Sequence, residues 1–117
     1  MNSLEKTKQV VKILDDKKAE NIKVLKIDNI TVMTDYFVIA SSDNTTHVKA
    51  LVEEVEFKMK EQGITPLRSE GHQSASWVIL DYGDVIVHIF HEEAREYYDL
   101  DRLWAAGEEI STADLLA

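Results

Sequence analysis

The sequence predicts an α/β domain in which helices flank one mixed sheet of about five strands. Three observations indicate this fold. Two stretches carry apolar residues at helical spacing, one short run is apolar throughout, and two β-rich runs flank a turn sequence. The chain has 117 residues, the length of one domain with a substantial core, so we assign residues 1–117 to a single domain.

The N-terminal third is predicted to form a helix and two strands. The helix covers residues 3–17, and Asn2 with Glu5 forms the pattern of a capping box at its start. Residues 22–27 form the first strand. Residues 36–40 form the second, whose continuous apolar run is typical of a strand buried on both faces.

The middle of the chain is predicted to contain the second long helix and three strands. The helix covers residues 45–62, and Gly63 follows it where a C-terminal glycine cap belongs. A short strand at 67–70 is connected to the preceding strand through this helix, in a right-handed parallel crossover. Residues 77–80 and 85–90 form a hairpin around a turn rich in aspartate and glycine.

The C-terminal part is predicted to be less regular. Residues 92–98 form a short helix, and Asp99 caps a further turn that ends at Trp104. The acidic tail, from about residue 107, is expected to be held loosely.

The hairpin raises the question of a metal or acid–base site, because it carries Asp81, Asp84, His88 and His91. Aspartates at a hairpin tip commonly bond their own backbone, and we expect both to do so here. His88 lies on a strand face that we expect to be partly covered, and a lone strand histidine is usually structural. His91 would point to the opposite face, so the two histidines form a poor ligand pair.

Other signals of catalysis are absent from the sequence. There is no cysteine and no glycine-rich phosphate loop, HExxH or GxSxG pattern. We therefore predict no catalytic residues, no metal site and no cofactor. The alternative is a metal-dependent nucleotidyltransferase or nuclease that uses Asp81, Asp84 and His88.

Charge is distributed unevenly along the chain. Residues 1–26 hold seven lysines and four acids, whereas residues 27–117 hold six basic residues and eighteen acids. Two interpretations of the acidic excess are open: it serves solubility alone, or it matches a basic partner. The chain has no basic stripe after Lys26, so direct nucleic-acid binding is not expected. We expect a cytoplasmic protein, because no apolar run has the length of a membrane span or the pattern of a signal peptide.

The aromatic residues favour an interaction surface. Trp77, Tyr82, Tyr97, Tyr98 and Trp104 are crowded into the last forty-one residues among many acids. Tryptophan and tyrosine are enriched at binding hot spots, although each of them could instead fill the core.

Four ordered blocks make the chain resemble the ribosomal silencing factor family, also called Iojap-like. The blocks are DYFVIAS at 35–41, EG at 70–71, WVILDYGDVIVHIF at 77–90 and REYYDLDRLW at 95–104. The resemblance covers roughly residues 3–105. One departure is Ser42, where the family more often has glycine, and it should affect loop conformation only.

The resemblance implies a function without chemistry. Family members bind the large ribosomal subunit through universal large-subunit protein fourteen and block joining of the small subunit, slowing translation when nutrients are short. Their fold is similar to nucleotidyltransferases without a working active site. The absence of a presequence suggests a bacterial member. A homodimer through the hairpin face is a further possibility. The resemblance places partner binding at seven positions: Trp77, Asp81, Tyr82, His88, Tyr98, Asp99 and Leu100.

Overall fold

The computed structural model describes residues 1–117 as five helices around one six-stranded sheet. In chain order the elements are α1 (Ser3–Asp16), β1 (Glu20–Lys26), β2 (Tyr36–Ser42), α2 (Thr45–Glu61), β3 (Arg68–Glu70), β4 (Trp77–Asp81), β5 (Val85–His91), α3 (Glu92–Tyr98), α4 (Leu100–Leu103), β6 (Glu108–Ile110) and α5 (Thr112–Leu116). The strands are ordered β3-β4-β5-β2-β1-β6, and only the β2–β5 pair among neighbours is parallel. None of the helices is long and apolar enough to cross a bilayer.

The main core lies between one face of the sheet and helices α1 and α2. It contains twenty buried residues contributed by both helices and by alternate positions of the central strands. The predicted cap forms at the start of α1, and an asparagine also caps the start of α2. Asn2 accepts the backbone N–H of Glu5 at 2.8 Å, and Asn44 accepts that of His47 at 2.7 Å.

A smaller apolar cluster occupies the opposite face of the sheet. Its six buried members are Leu25, Ile27, Phe37, Ile39, Phe90 and Leu100. Helices α3 and α4 cover this face only in part, so Trp77 and Trp104 at its margin stay partly exposed. The two faces therefore differ: one is a closed core and the other keeps an accessible edge.

The prediction of a loosely held tail was wrong, because the tail adds a sixth strand to the predicted mixed sheet of about five. Residues from Glu108 to Ile110 form a sixth strand that pairs antiparallel with β1. Ile110 and Leu115 then pack against the main core. Strand β1 would otherwise present an unpaired edge, and the tail supplies main-chain partners for it.

In the predicted crossover, β2 and β3 were correctly expected to be parallel, but they are not neighbours in the sheet. Through the pairings of β4 and β5, strand β3 runs parallel to β2, yet it lies at the sheet edge, three positions away. The β4–β5 hairpin inserts between them because β5, not β3, becomes the parallel neighbour of β2.

Candidate functional site

Trp77 occupies the accessible edge of the smaller cluster. It begins β4, and its indole stacks on Phe90 with the ring centroids 5.0 Å apart. The ring centroid of Tyr98, at the end of α3, lies 4.8 Å from that of Trp77, and Tyr98 is 48% exposed. Two large rings with polar groups thus share a surface next to the partly covered face, which is the composition of a binding hot spot.

His88 lies next to Trp77, with the ring centroids 6.0 Å apart. The indole N–H of Trp77 donates to its Nδ1 at 3.1 Å, and the edge of its ring meets Phe37 at a centroid distance of 4.6 Å. The sheet face that carries His88 is only partly covered, as predicted, but the residue itself is just 5% exposed. Burial lowers the pKa of His88 to about 4, which keeps the imidazole neutral at physiological pH.

Asp81 forms the expected turn. Its Oδ1 accepts the backbone N–H of Gly83 at 2.8 Å, while Oδ2 accepts from Arg68 Nε at 3.1 Å. Asp81 alternates along β4 with Trp77 and so faces the same side of the sheet. Its carboxylate therefore lies on the same side of the sheet as Trp77, with both oxygens already bonded, one to Gly83 and one to Arg68.

Tyr82 does not join the other candidate residues. It belongs to the main core, on the far side of the sheet, and is only 5% exposed. Burial, with the negative charge of Glu56, raises the pKa of its phenol above the ordinary value. The structure therefore places Tyr82 out of reach of a partner on the Trp77 face, because its side chain packs in the core on the opposite side of the sheet.

Asp99 and Leu100 form the junction between α3 and α4. Asp99 adopts a left-handed conformation (φ 50°), and its backbone N–H donates to the carbonyl of Arg95 at 2.9 Å. This bend turns Leu100 down into the smaller cluster, where it is 7% exposed, and leaves Asp99 exposed at the surface. Of the seven predicted positions, Trp77, His88, Tyr98 and Leu100 thus lie around one cluster, with Asp81 and Asp99 at its margins.

Arg95 is a component that the sequence prediction missed. It donates to both carboxylate oxygens of Asp101, at 3.3 and 2.9 Å, and to Ser41 Oγ at 3.1 Å. It also donates to the carbonyl of Asn21. Arg95 therefore fastens α3 to α4, to β2 and to the start of β1. The sequence feature that could have identified Arg95 is that it is the only basic residue within the acidic stretch from 92 to 101.

An acidic cavity of about 560 Å³ opens beside this arginine. It is lined by no apolar side chain and by five acids: Glu92, Glu93, Glu96, Asp99 and Asp101. Burial of the Asp101 carboxyl by itself would raise its pKa, but the hydrogen bond and charge of Arg95, with Lys23, hold that pKa below the ordinary value. Asp101 is therefore ionised at neutral pH and paired with Arg95, while the other four acids line the cavity.

The side chains of the alternative metal site do not converge. Asp84 was expected to bond its own backbone, but its carboxylate instead accepts from Lys6 Nζ at 2.9 Å, which joins the hairpin to α1. His91 accepts the backbone N–H of Glu93 and bonds the carbonyl of Asp43 at 3.1 Å, so it caps α3. No three histidine, aspartate or glutamate side chains are arranged to hold a metal ion.

Comparison with known proteins gives consistent results for sequence and structure. The family described as "Ribosomal silencing factor during starvation" matches residues 1–117. The chain is 39% identical over 104 residues to the ribosomal silencing factor RsfS of Halalkalibacterium halodurans, covering 89% of each protein. It is 31% identical over 98 residues to the mouse protein named mitochondrial assembly of ribosomal large subunit protein 1, covering 81% of this chain and 43% of that one.

A solved structure agrees with these sequence relatives. The crystal structure of a Chromobacterium violaceum protein superposes with a TM-score of 0.87 at 37% identity, covering 95% of this chain and 92% of that one. A full-length family match, a close relative and a shared fold all point the same way, and this chain therefore belongs to the ribosomal silencing factor family.

Proposed function

We propose that this protein binds the large ribosomal subunit through universal large-subunit protein fourteen and blocks joining of the small subunit, slowing translation when nutrients are short. Membership of a silencing family supports a regulatory role on the ribosome. The name of the mouse relative, which refers to assembly of the large ribosomal subunit, supports the choice of that subunit. Docking would exclude the small subunit by occupying its place, and no reaction is required.

The observation that carries the proposal is the aromatic surface formed by Trp77 and Tyr98. Both rings are partly exposed although each contacts another aromatic side chain. Burying such rings against a partner removes apolar area from water at about 25 cal/mol per Å². They would therefore supply most of the affinity, as central anchors do in other interfaces.

The acidic rim supports a basic partner. Glu92, Glu93, Glu96 and Asp99 are exposed beside the aromatic surface, and Arg95 is the one basic group lining the same cavity. Exposed charge pairs contribute only about 0.2–1 kcal/mol each. Their larger effect would be to speed the encounter with a positively charged surface, and added salt should weaken that effect.

Co-sedimentation with isolated ribosomal subunits tests the proposal. Purified protein is mixed with large and small subunits in magnesium sufficient for joining and separated on a sucrose gradient. We expect the protein to migrate with the large subunit and the joined-ribosome peak to shrink. If it stays at the top of the gradient and joining is normal, the proposal is wrong.

The Trp77→Ala variant tests the surface, with Phe57→Ala as its matched control. Phe57 is also a partly exposed aromatic residue (56%), but it lies on α2, behind the opposite face of the sheet. Loss of a central anchor typically lowers affinity by at least about thirty-fold. We expect Trp77→Ala to abolish co-sedimentation and Phe57→Ala to leave it unchanged. If both variants are folded and co-sediment equally with the large subunit, Trp77 is not part of the interface.

Two other outcomes are checked with the same preparation. Pairing of two copies through the aromatic surface would appear as a dimer in sedimentation equilibrium, and Trp77→Ala would dissociate it. The alternative enzyme would bind magnesium or manganese saturably in calorimetric titration, and Asp84→Asn would reduce that binding.

A further inference from the structure

We propose that His88 is a positioning residue, which holds the Trp77 indole in the orientation required for docking and does not itself touch the partner. The inference rests on the proposed function and deepens it by dividing the surface into a residue that makes contact and a residue that aligns it.

The hydrogen bond between the two rings defines the state of the imidazole. An indole N–H can only donate, so His88 Nδ1 at 3.1 Å must accept, and the ring proton must be on Nε2. The ring itself cannot rotate freely. His88 pairs with Ile39 of β2 and Ile79 of β4, and Phe37 packs against it edge-on. A rigid acceptor is therefore presented to Trp77 from the floor of the cluster.

The other nitrogen of His88 shows that this arrangement carries a cost. Nε2 is buried and has no hydrogen-bond partner, although it carries the proton. An unsatisfied buried donor destabilises a protein, and a leucine at this position in an apolar face would avoid that penalty. Such local conflicts are expected where a residue serves function more than stability. The only hydrogen bond that the His88 side chain makes is the one from Trp77.

The consequence for docking is a preoriented anchor. Trp77 lies at the accessible edge of the cluster, where an indole without a fixed polar contact would sample several rotamers. The bond to His88 restricts it before the partner arrives, which reduces the entropy lost on binding. It also uses the indole N–H within the chain, so the partner meets the hydrocarbon part of the ring.

Two variants at position 88 test this assignment. His88→Leu removes the acceptor and the unsatisfied donor together. His88→Asn keeps an oxygen near the place of Nδ1, so it can still accept from the indole. Each variant is measured for thermal stability, for affinity to purified large subunits, and for the indole N–H resonance of Trp77, which is assigned by its loss in Trp77→Phe.

In His88→Leu, stability and affinity for the large subunit are expected to change in opposite directions. His88→Leu should melt at or above the wild-type temperature, yet bind large subunits roughly five-fold more weakly, the equivalent of one neutral hydrogen bond. Its Trp77 indole resonance should shift toward that of a solvent-exposed indole. His88→Asn should restore both the resonance and the affinity.

Three outcomes would overturn the assignment. Wild-type affinity in His88→Leu would show that alignment of Trp77 does not matter. A parallel loss of stability and affinity in His88→Leu, without restoration in His88→Asn, would show a structural role. Restored resonance without restored affinity in His88→Asn would show that His88 contacts the partner directly. Failure of the wild-type protein to bind subunits would instead refute the proposed function, so the two failures are distinguishable.

Discussion

Replacing Arg95 by methionine should destabilise the protein, because this cation ties α3 and α4 to the sheet. The Arg95 side chain is 13% exposed and contacts the carboxylate of Asp101, the hydroxyl of Ser41 and the carbonyl of Asn21. Methionine keeps most of the aliphatic stem and packs in a similar volume. The variant therefore removes the charge and its hydrogen bonds with little change in packing.

The magnitude follows from what the variant leaves behind. Removing one partner of a buried ion pair typically costs about 3–5 kcal/mol. Asp101 is 23% exposed and retains Lys23 Nζ at 3.7 Å, which compensates in part. We therefore expect the lower end of that range, about 3 kcal/mol. With an unfolding entropy of about 2.1 cal/mol/K per residue, this loss lowers the melting temperature by roughly 12 °C.

Urea unfolding at pH 7 measures the loss, and Arg68→Met is the matched control. Arg68 also pairs with an aspartate, Asp81, at 3.1 Å, but its side chain is 71% exposed. Exposed pairs contribute at most about 1 kcal/mol. If Arg95→Met costs no more than Arg68→Met, the ion pair does not hold α3 and α4 in place, and the reasoning is refuted.

The same comparison has a defined pH dependence. The pKa of the Asp101 carboxyl in the folded protein is lower than its ordinary value. The stability that this group contributes is therefore present above the ordinary pKa and is lost as the pH falls through the folded value. The difference in stability between wild type and Arg95→Met should shrink over that acidic range, because a protonated Asp101 no longer attracts the arginine.

Three further predictions concern the backbone, pH and salt. Gly71→Ala should cost at least about 2 kcal/mol more than Gly63→Ala in urea unfolding, since both glycines have positive φ but only at Gly71 would a Cβ collide with the carbonyl oxygen of Trp77. Equal costs would mean that the backbone relaxes around Gly71. The pKa of His88 is lowered from the ordinary value of about 6.5 to about 4 in the folded protein. Between about pH 6.5 and about pH 4, therefore, the unfolded chain binds a proton at this residue and the folded protein does not. Stability should fall by about 3 kcal/mol as the pH drops across this window, and His88→Leu should lack this component of the pH dependence. Raising the salt concentration from about 0.05 to 0.3 M should slow association with large subunits in stopped-flow measurements, with little change in dissociation; a salt-independent association rate would exclude steering by the acidic rim.

The long helices and the hairpin were predictable from the sequence because their signals are local. Helix 3–17 and helix 45–62 were predicted to within one residue of Ser3–Asp16 and Thr45–Glu61, since apolar periodicity, the Asn2 cap and Gly63 are all local signals. Asp81 was likewise predicted to form its turn, because its partner is the backbone of Gly83 two residues away. The resemblance to the silencing family also came from the sequence alone, and the comparisons confirm it.

The tertiary structure decided which side chains share a surface, because that depends on partners far apart in the chain. Trp77 and Tyr82 are five residues apart and have similar chemistry, yet one lies at an accessible edge and the other in the closed core. Arg95 contacts Ser41 and Asn21, which are 54 and 74 residues away along the chain. At such separations the residue types do not indicate which side chains will meet in space. The acidic tail became a strand only because β1 had an open edge to receive it. Periodicity and turn chemistry therefore determined the long helices and the hairpin, whereas burial and long-range pairing determined the sixth strand and which residues form the candidate site.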